Sequence, residues 1–204
     1  MFLYLHGFRS SPLSTKSQIM HRALQERGQA NRWHCPQLST QPARAIEQCQ
    51  ELIEQHHQAG QPLTIMGSSL GGFYATYLAE QWSHARCVVL NPVVHAARDL
   101  GHYVGPLTNY HTHEAFEFTQ ADVNALANLE IPHITQPERY LLIAATGDEL
   151  LDWREMTEHY ANAEQVVIQG SDHGLSDFED YLPRIFKFLG LDGATTDLSS
   201  ARAP

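Results

Sequence analysis

Only three cysteines occur in 204 residues, Cys35, Cys49 and Cys87, an odd and widely spaced set with no C-x-x-C pair. That excludes a disulfide framework and a thiolate zinc knuckle, and it reads as reduced, structural cysteine in a cytoplasmic protein. Positive charge is also scarce: 13 Lys and Arg stand against 23 Asp and Glu, for a formal net charge of −10. General nucleic-acid binding needs a basic face and is not expected here. Long apolar runs are missing too. The opening MFLYLHGF has no basic region ahead of it and its apolar stretch stops at His6, too short for a signal peptide or a membrane span. No internal repeat is present.

What is there is ordinary for a globular chain, with 43% hydrophobic and 18% charged residues. This length predicts a single domain, residues 1–190, able to bury roughly 70% of its unfolded surface. Residues 191–204 carry almost no apolar side chains and are expected to be a disordered tail. Charge is unevenly spread: residues 1–50 hold six Lys and Arg (Arg9, Lys16, Arg22, Arg27, Arg32, Arg44) against Glu26 and Glu47, while the remainder is strongly acidic. A solvated surface explains that asymmetry, and so does a basic quarter that helps to hold an anionic substrate.

Short apolar segments alternate with helical patterns along the chain. Strands are predicted at Phe2–Leu5, weakly at Arg32–Pro36, at Leu63–Met66, Cys87–Leu90, Tyr140–Ala145 and Val166–Ile168. Between them lie a helix capped by Ser14 or Thr15 and running to about Gly28, one over 42–58, one after the third strand to about Trp82, and a last amphipathic helix over 176–189. Strands that are apolar without alternation and separated by helices imply an α/β fold, a mostly parallel sheet with helices on both faces. Residues 93–138 break the rhythm. They hold five histidines and are too long for a plain crossover, so a small cap insertion over one end of the sheet is expected.

The stretch TIMGSSLGGFYAT contains G-x-S-x-G in only one register, Gly67-Ser68-Ser69-Leu70-Gly71. In a nucleophile elbow the central residue sits on a strained strand-to-helix turn, and the positions two away must be small where the chain doubles back. Ser69 is therefore the candidate nucleophile. A serine hydroxyl needs a base to take its proton during attack, and that base needs a carboxylate to fix its tautomer. Ligand sites in open parallel sheets lie beyond the carboxyl ends of the strands. His173 follows the last strand and is the candidate base. Asp148 follows the 140–145 strand and comes first among Asp148, Glu149 and Asp152. It is the candidate acid, with Asp152 open as its alternative. Glu149 and Asp152 fit the start of the following helix, and Asp172 is too close to His173 along the chain to serve it. The oxyanion donors are the backbone N–H of Leu70, which follows the nucleophile, and of Phe8, in the loop after the first strand. The order Ser, Asp, His is that of α/β-hydrolases.

These segments, LHGF.SSP.S.K, GSSLGGFYATYLAE, NPVV, TGDELLD and GSDHGLSDFEDYLPRI, resemble the YqiA-like small esterases of the α/β-hydrolase superfamily over nearly the whole chain except 93–138 and the tail. The resemblance implies a compact α/β-hydrolase fold, hydrolysis of a small-molecule carboxylic ester or acyl thioester through an acyl-serine intermediate, and the roles above for Ser69, Asp148 and His173. No cofactor or metal is implied. An acyl-CoA thioesterase, with Arg9, Lys16 and Arg22 as phosphate contacts, and a binding module that has kept the fold without catalysis are the alternatives. A zinc site built on His95, His102, His111 and His113 lacks a second ligand pair of recognised spacing.

Overall fold

The structure, a computed structural model, describes residues 1–192. The predicted tail lies outside the described residues from position 193 onward. Six strands form one sheet: β1 (Phe2–Leu5), β2 (Trp33–His34), β3 (Thr64–Ser68), β4 (Arg86–Leu90), β7 (Tyr140–Ala145) and β8 (Glu164–Ile168). Their spatial order is β2-β1-β3-β4-β7-β8, and every pairing is parallel. Leu5 lies beside Gly67, Ser68 beside Leu90, and Ala145 beside Ile168, so the carboxyl ends of the strands finish along one rim.

Strand residues feed two cores by turns, because successive side chains leave opposite faces of a pleated strand. Leu3, Leu5, Ile65, Val89 and Leu142 enter one core with helices α2 (Pro42–His56) and α3 (Leu70–Gln81). Phe2, Tyr4, Met66, Val88, Leu141 and Ile143 enter the other with α1 (Thr15–Glu26) and α7 (Leu182–Leu189). Both faces are covered, which is why the strands read as unbroken apolar runs. Burial of each such Leu or Ile contributes about 1.5–3 kcal/mol.

One expectation needs correction. The helix expected over 176–189 starts six residues later: Phe178–Tyr181 is a single 3-10 turn and α7 begins at Leu182. Pro183 is the cause, since proline lacks the N–H a helix interior needs but suits its first turn. Residues 93–138 hold α4 (Ala96–Leu100), a two-stranded antiparallel hairpin of β5 (Gly105–Thr108) and β6 (Ala115–Phe118), and α5 (Gln120–Asn128). Phe118 and Leu126 are buried in the core, and α5 packs on α2 as well as α4. The insertion therefore extends one face of the core besides reaching the rim. A capping box closes the start of α5: Asp122 N–H reaches the Thr119 side chain, and Thr119 N–H reaches Asp122 Oδ2 at 2.8 Å. The T-x-x-D spacing is the local signal for such a start, and the sequence reading passed it over. A last short helix, α6 (Trp153–His159), follows β7.

Candidate active site

Ser69 stands between β3 and α3 with φ 57° and ψ −124°, a left-handed backbone for a non-glycine residue. Such a conformation costs on the order of 1–3 kcal/mol and persists only where the surroundings hold it. Here they do. Ser69 N–H donates to Leu90 O at 3.0 Å, and its carbonyl accepts from the N–H of Gly72 at 2.9 Å and of Val93 at 3.1 Å. The two motif glycines answer to contact distances. A Cβ on Gly67 would lie 2.0 Å from Gly71 O, and one on Gly71 would lie 2.0 Å from Leu5 O. The doubled-back chain leaves no room for a methyl at either place.

Asp148 and His173 meet through a 2.8 Å hydrogen bond between Oδ2 and the ring Nδ1. The Asp148 side chain has no exposure, and that of His173 is 18% exposed. The other oxygen, Oδ1, accepts from the N–H groups of Leu150 and Leu151, each at 2.9 Å. With the carboxylate held on both oxygens, Nδ1 carries the proton and Nε2 is left as the acceptor. Asp152 instead occupies the N-cap of α6 and accepts from Arg154 N–H at 2.9 Å. Asp172 accepts from Ser176 N–H at 2.9 Å. Glu149 does not begin α6: its Oε2 accepts the His173 backbone N–H at 2.9 Å and ties the histidine loop to the aspartate loop.

Ser69 and His173 line one cavity of about 450 Å³. No hydrogen bond joins Ser69 Oγ to the His173 ring among the described residues, as in many unliganded sites where this contact tightens only around substrate. The cavity wall is apolar at Phe8, Val93, Leu100, Tyr103, Leu150 and Leu151. The insertion thus shares the pocket with the loop after β7, and Leu150 and Leu151 were not anticipated there.

The loop after β1 approaches the serine closely. A Cβ on Gly7 would come within 3.3 Å of Ser69 Cβ and 3.7 Å of its Oγ. Neither Phe8 N–H nor Leu70 N–H donates a hydrogen bond among the described residues. His6 sets the orientation of the Gly7–Phe8 peptide. Its Nδ1 lies 3.1 Å from Gly7 O, which also accepts Ser10 N–H at 3.2 Å, while its Nε2 accepts Leu38 N–H at 3.2 Å. In a trans peptide the Phe8 N–H then points away from those partners. Burial holds the His6 imidazole neutral, with its pKa lowered to about 4.

Asn91 is the residue that sequence reasoning read merely as a strand stop. It is fully buried at φ 40°, and its Oδ1 accepts Ala145 N–H at 2.8 Å. Its Nδ2 donates to the carbonyls of Asp172 at 3.0 Å and His173 at 3.2 Å. One amide so joins the ends of β4 and β7 to the histidine loop. Its signal was an Asn directly after an apolar strand, tolerant of positive φ and able both to donate and to accept.

The basic residues singled out in the sequence separate. Arg22 pairs with Glu179 at 2.5 Å on the surface. Arg9 lines the large cavity, its Nε donating to Thr108 O at 2.8 Å and its guanidinium 4.1 Å from the Tyr110 ring centre. Lys16 lines a smaller cavity that also includes Ser69. The four histidines weighed for zinc are not gathered: His95 faces Glu130 at 3.0 Å, the His102 ring lies tilted beside that of Tyr103, and His111 and His113 sit exposed in the β5–β6 turn. Among the described residues no group of three or more His, Cys, Asp or Glu is placed to hold a metal ion. No helix among them is long and apolar enough to cross a membrane.

Solved structures share this architecture at low identity. Mouse alpha/beta hydrolase domain-containing protein 10 superposes with a TM-score of 0.67 at 13% identity, over 92% of this chain and 90% of that one. Est1E from Butyrivibrio proteoclasticus, in its ferulic acid complex, gives 0.64 at 13% identity over 94% and 88%. The esterase domain from a Rhodothermus marinus protein gives 0.64 at 15% identity over 93% and 85%. These likenesses establish an α/β-hydrolase fold. The family model of the Uncharacterised protein family (UPF0227) matches residues 1–190, and the chain belongs to that family, the one to which its YqiA-like motifs pointed.

Proposed function

We propose that this protein is a serine hydrolase that cleaves carboxylic esters or acyl thioesters through an acyl-serine intermediate. The observation that carries the reading is the shared cavity wall on which the strained Ser69 and the Asp148-bound His173 stand together. In this reading His173 Nε2 takes the Ser69 proton as Oγ bonds to the substrate carbonyl carbon. The oxygen becomes an anion facing the Phe8 and Leu70 N–H groups. Collapse breaks the bond to the leaving alcohol or thiol, which receives the proton from His173. Water then enters, gives its proton to the same nitrogen and attacks the acyl carbon, releasing the carboxylic acid and restoring the Ser69 hydroxyl. Asp148 keeps Nδ1 protonated and stabilises the imidazolium in each half. Loss of one oxyanion donor of this kind costs about 10²–10³ in rate.

The cavity's apolar wall suits the hydrocarbon part of a small ester. An acyl-CoA role is less favoured by the basic residues, since Arg22 is already tied to Glu179. A binding module without catalysis has no need of a strained serine beside a buried Asp–His pair. The three unpaired cysteines favour a reducing compartment such as the cytoplasm.

Fluorophosphonate labelling followed by mass spectrometry tests the proposal. Ser69 is expected to label, Ser69→Ala to lose both label and ester turnover, and Asp148→Asn to lower kcat by about 10⁴. An unlabelled wild-type protein, or turnover that survives Ser69→Ala, refutes it.

A further inference from the structure

The segment Ser10-Ser11-Pro12-Leu13-Ser14-Thr15-Lys16 carries more polar groups than an oxyanion loop requires. Part of it walls a second cavity of about 160 Å³, in which Ser10, Ser14, Ser68, Tyr4 and Lys16 join Ser69 and His173. Phe8, Ser69 and His173 are common to this cavity and to the large one. The serine therefore stands where an apolar compartment meets one lined by hydroxyls and an ammonium.

Two side chains in the small cavity are under-used. Ser14 occupies the N-cap position of α1, yet its side chain makes no capping hydrogen bond, and its buried Oγ has no partner among the described residues. Buried polar atoms are rarely left so, and each exception asks for a reason. Lys16 Nζ donates to Gly174 O at 2.5 Å and forms no ion pair within 4.0 Å among the described residues. An ammonium has three N–H donors, so two remain. The acids that act on it at longer range are Asp172 and Asp148, and both are committed elsewhere, to Ser176 N–H and to His173 with Leu150 and Leu151. Burial outweighs their pull and lowers the Lys16 pKa to about 8, so the group is still cationic at neutral pH. The first turn of the 12-residue α1 adds its positive end at the same place.

We propose that the small cavity is a carboxylate-recognition subsite, in which Lys16 Nζ and Ser14 Oγ bind an anionic oxygen on one side of the scissile bond while the apolar part of the substrate fills the large cavity. The inference rests on the hydrolase reading for the position of the scissile bond. At about 30 Å³ for each water-sized group, the volume admits about five such groups, a carboxylate on a two-carbon arm. The substrate class is thus a short anionic ester or thioester, either a dicarboxylic monoester or an acylated hydroxy acid.

The test uses the full-length protein with Lys16→Met, Lys16→Arg and Ser14→Ala. Two matched pairs are compared: monomethyl succinate with methyl butanoate, and 3-butyryloxypropanoate with propyl butyrate. The wild type should favour the anionic member of at least one pair. Lys16→Met and Ser14→Ala should each reduce that preference in kcat/KM by about 10- to 100-fold, as expected for hydrogen bonds to a charged group. Lys16→Arg should recover part of it. Preference for the neutral member in both pairs overturns the proposal. So does an equal loss for both members, which would assign Lys16 to holding the Gly174 carbonyl alone. Titration calorimetry with propionate separates this result from failure of the hydrolase reading. If Ser69 neither labels nor turns over, propionate binding that Lys16→Met abolishes still upholds the anion subsite, and absence of binding to the wild type overturns it.

Discussion

Ser69 and Asp148 follow strands whose side chains are almost wholly buried, as does the loop after β1, with Leu5, Met66 and Ala145 at 0% exposure, whereas the insertion presents Val104 at 46% and Tyr110 at 62%. Both regions border the same large cavity. At the strand ends, backbone and side-chain hydrogen bonds set positions on each side of Ser69, from Leu90 O beneath it to the Asn91 amide across two loops. In the insertion the hairpin meets the serine side through a few contacts to the loop after β1: Tyr110 N–H to Arg9 O at 2.8 Å, Asn109 Nδ2 to Ser10 O at 2.8 Å, and Arg9 Nε to Thr108 O. Geometry at the reacting atoms needs rigidity, while the pocket wall needs only shape and can vary at lower cost.

That contrast can be broken most severely at the strand ends. Gly71→Ala puts a methyl 2.0 Å from a backbone oxygen of β1 with no flexible neighbour to yield. We expect a loss of about 4 kcal/mol or more, seen as failure to give a cooperative thermal transition by circular dichroism. A well-folded Gly71→Ala protein would show that the elbow is looser than its contact distances imply.

A smaller effect separates the two regions by pH. The His6 pKa is about 4 in the folded protein against 6.5 for a solvated imidazole, so the unfolded chain binds the proton first on acidification. Stability from this group is fully present above pH 6.5 and falls between 6.5 and 4, by about 1.4 kcal/mol per unit. Urea titrations at pH 7 and pH 5 should show His6→Gln losing less stability than the wild type over that interval. Parallel losses would remove His6 as the acid-sensitive support of the Phe8 loop.

The mildest change is expected in the insertion. Tyr110→Ala removes an exposed ring under the Arg9 guanidinium. KM for an ester filling the large cavity should rise about two- to fivefold, and Tm should move by less than about 2 °C. A Tm drop like that of a core substitution would make the hairpin structural rather than a variable wall.

Much of this molecule could be read along the chain. Gly67, Ser69 and Gly71 stand in the spacing of a tight strand–turn–helix, between an apolar run and a helical pattern, and the apolar runs at 87–90 and 140–145 lie in strands covered on both faces. The position of Asp152 ahead of Trp153 also announced its cap. Other features were silent. Pro183 sets a helix start that the apolar period of 178–189 does not show. The β5–β6 hairpin was missed because alternating exposure in GPLT and AFEF gives only four residues each, too few for a periodic signal. Glu149 looked like a helix starter because nothing local shows a carboxylate reaching a loop 24 residues away.

Sequence alone determined the elbow, the parallel α/β order and the candidate serine, aspartate and histidine, because each depends on local backbone sterics or on the period of burial along a strand. The tertiary structure decided which carboxylate meets His173, that Asn91 joins three rim segments, and that Ser14 and Lys16 border the same space as Ser69. Those facts depend on distances between segments far apart in the chain, and such distances are set only when both faces of the sheet are packed.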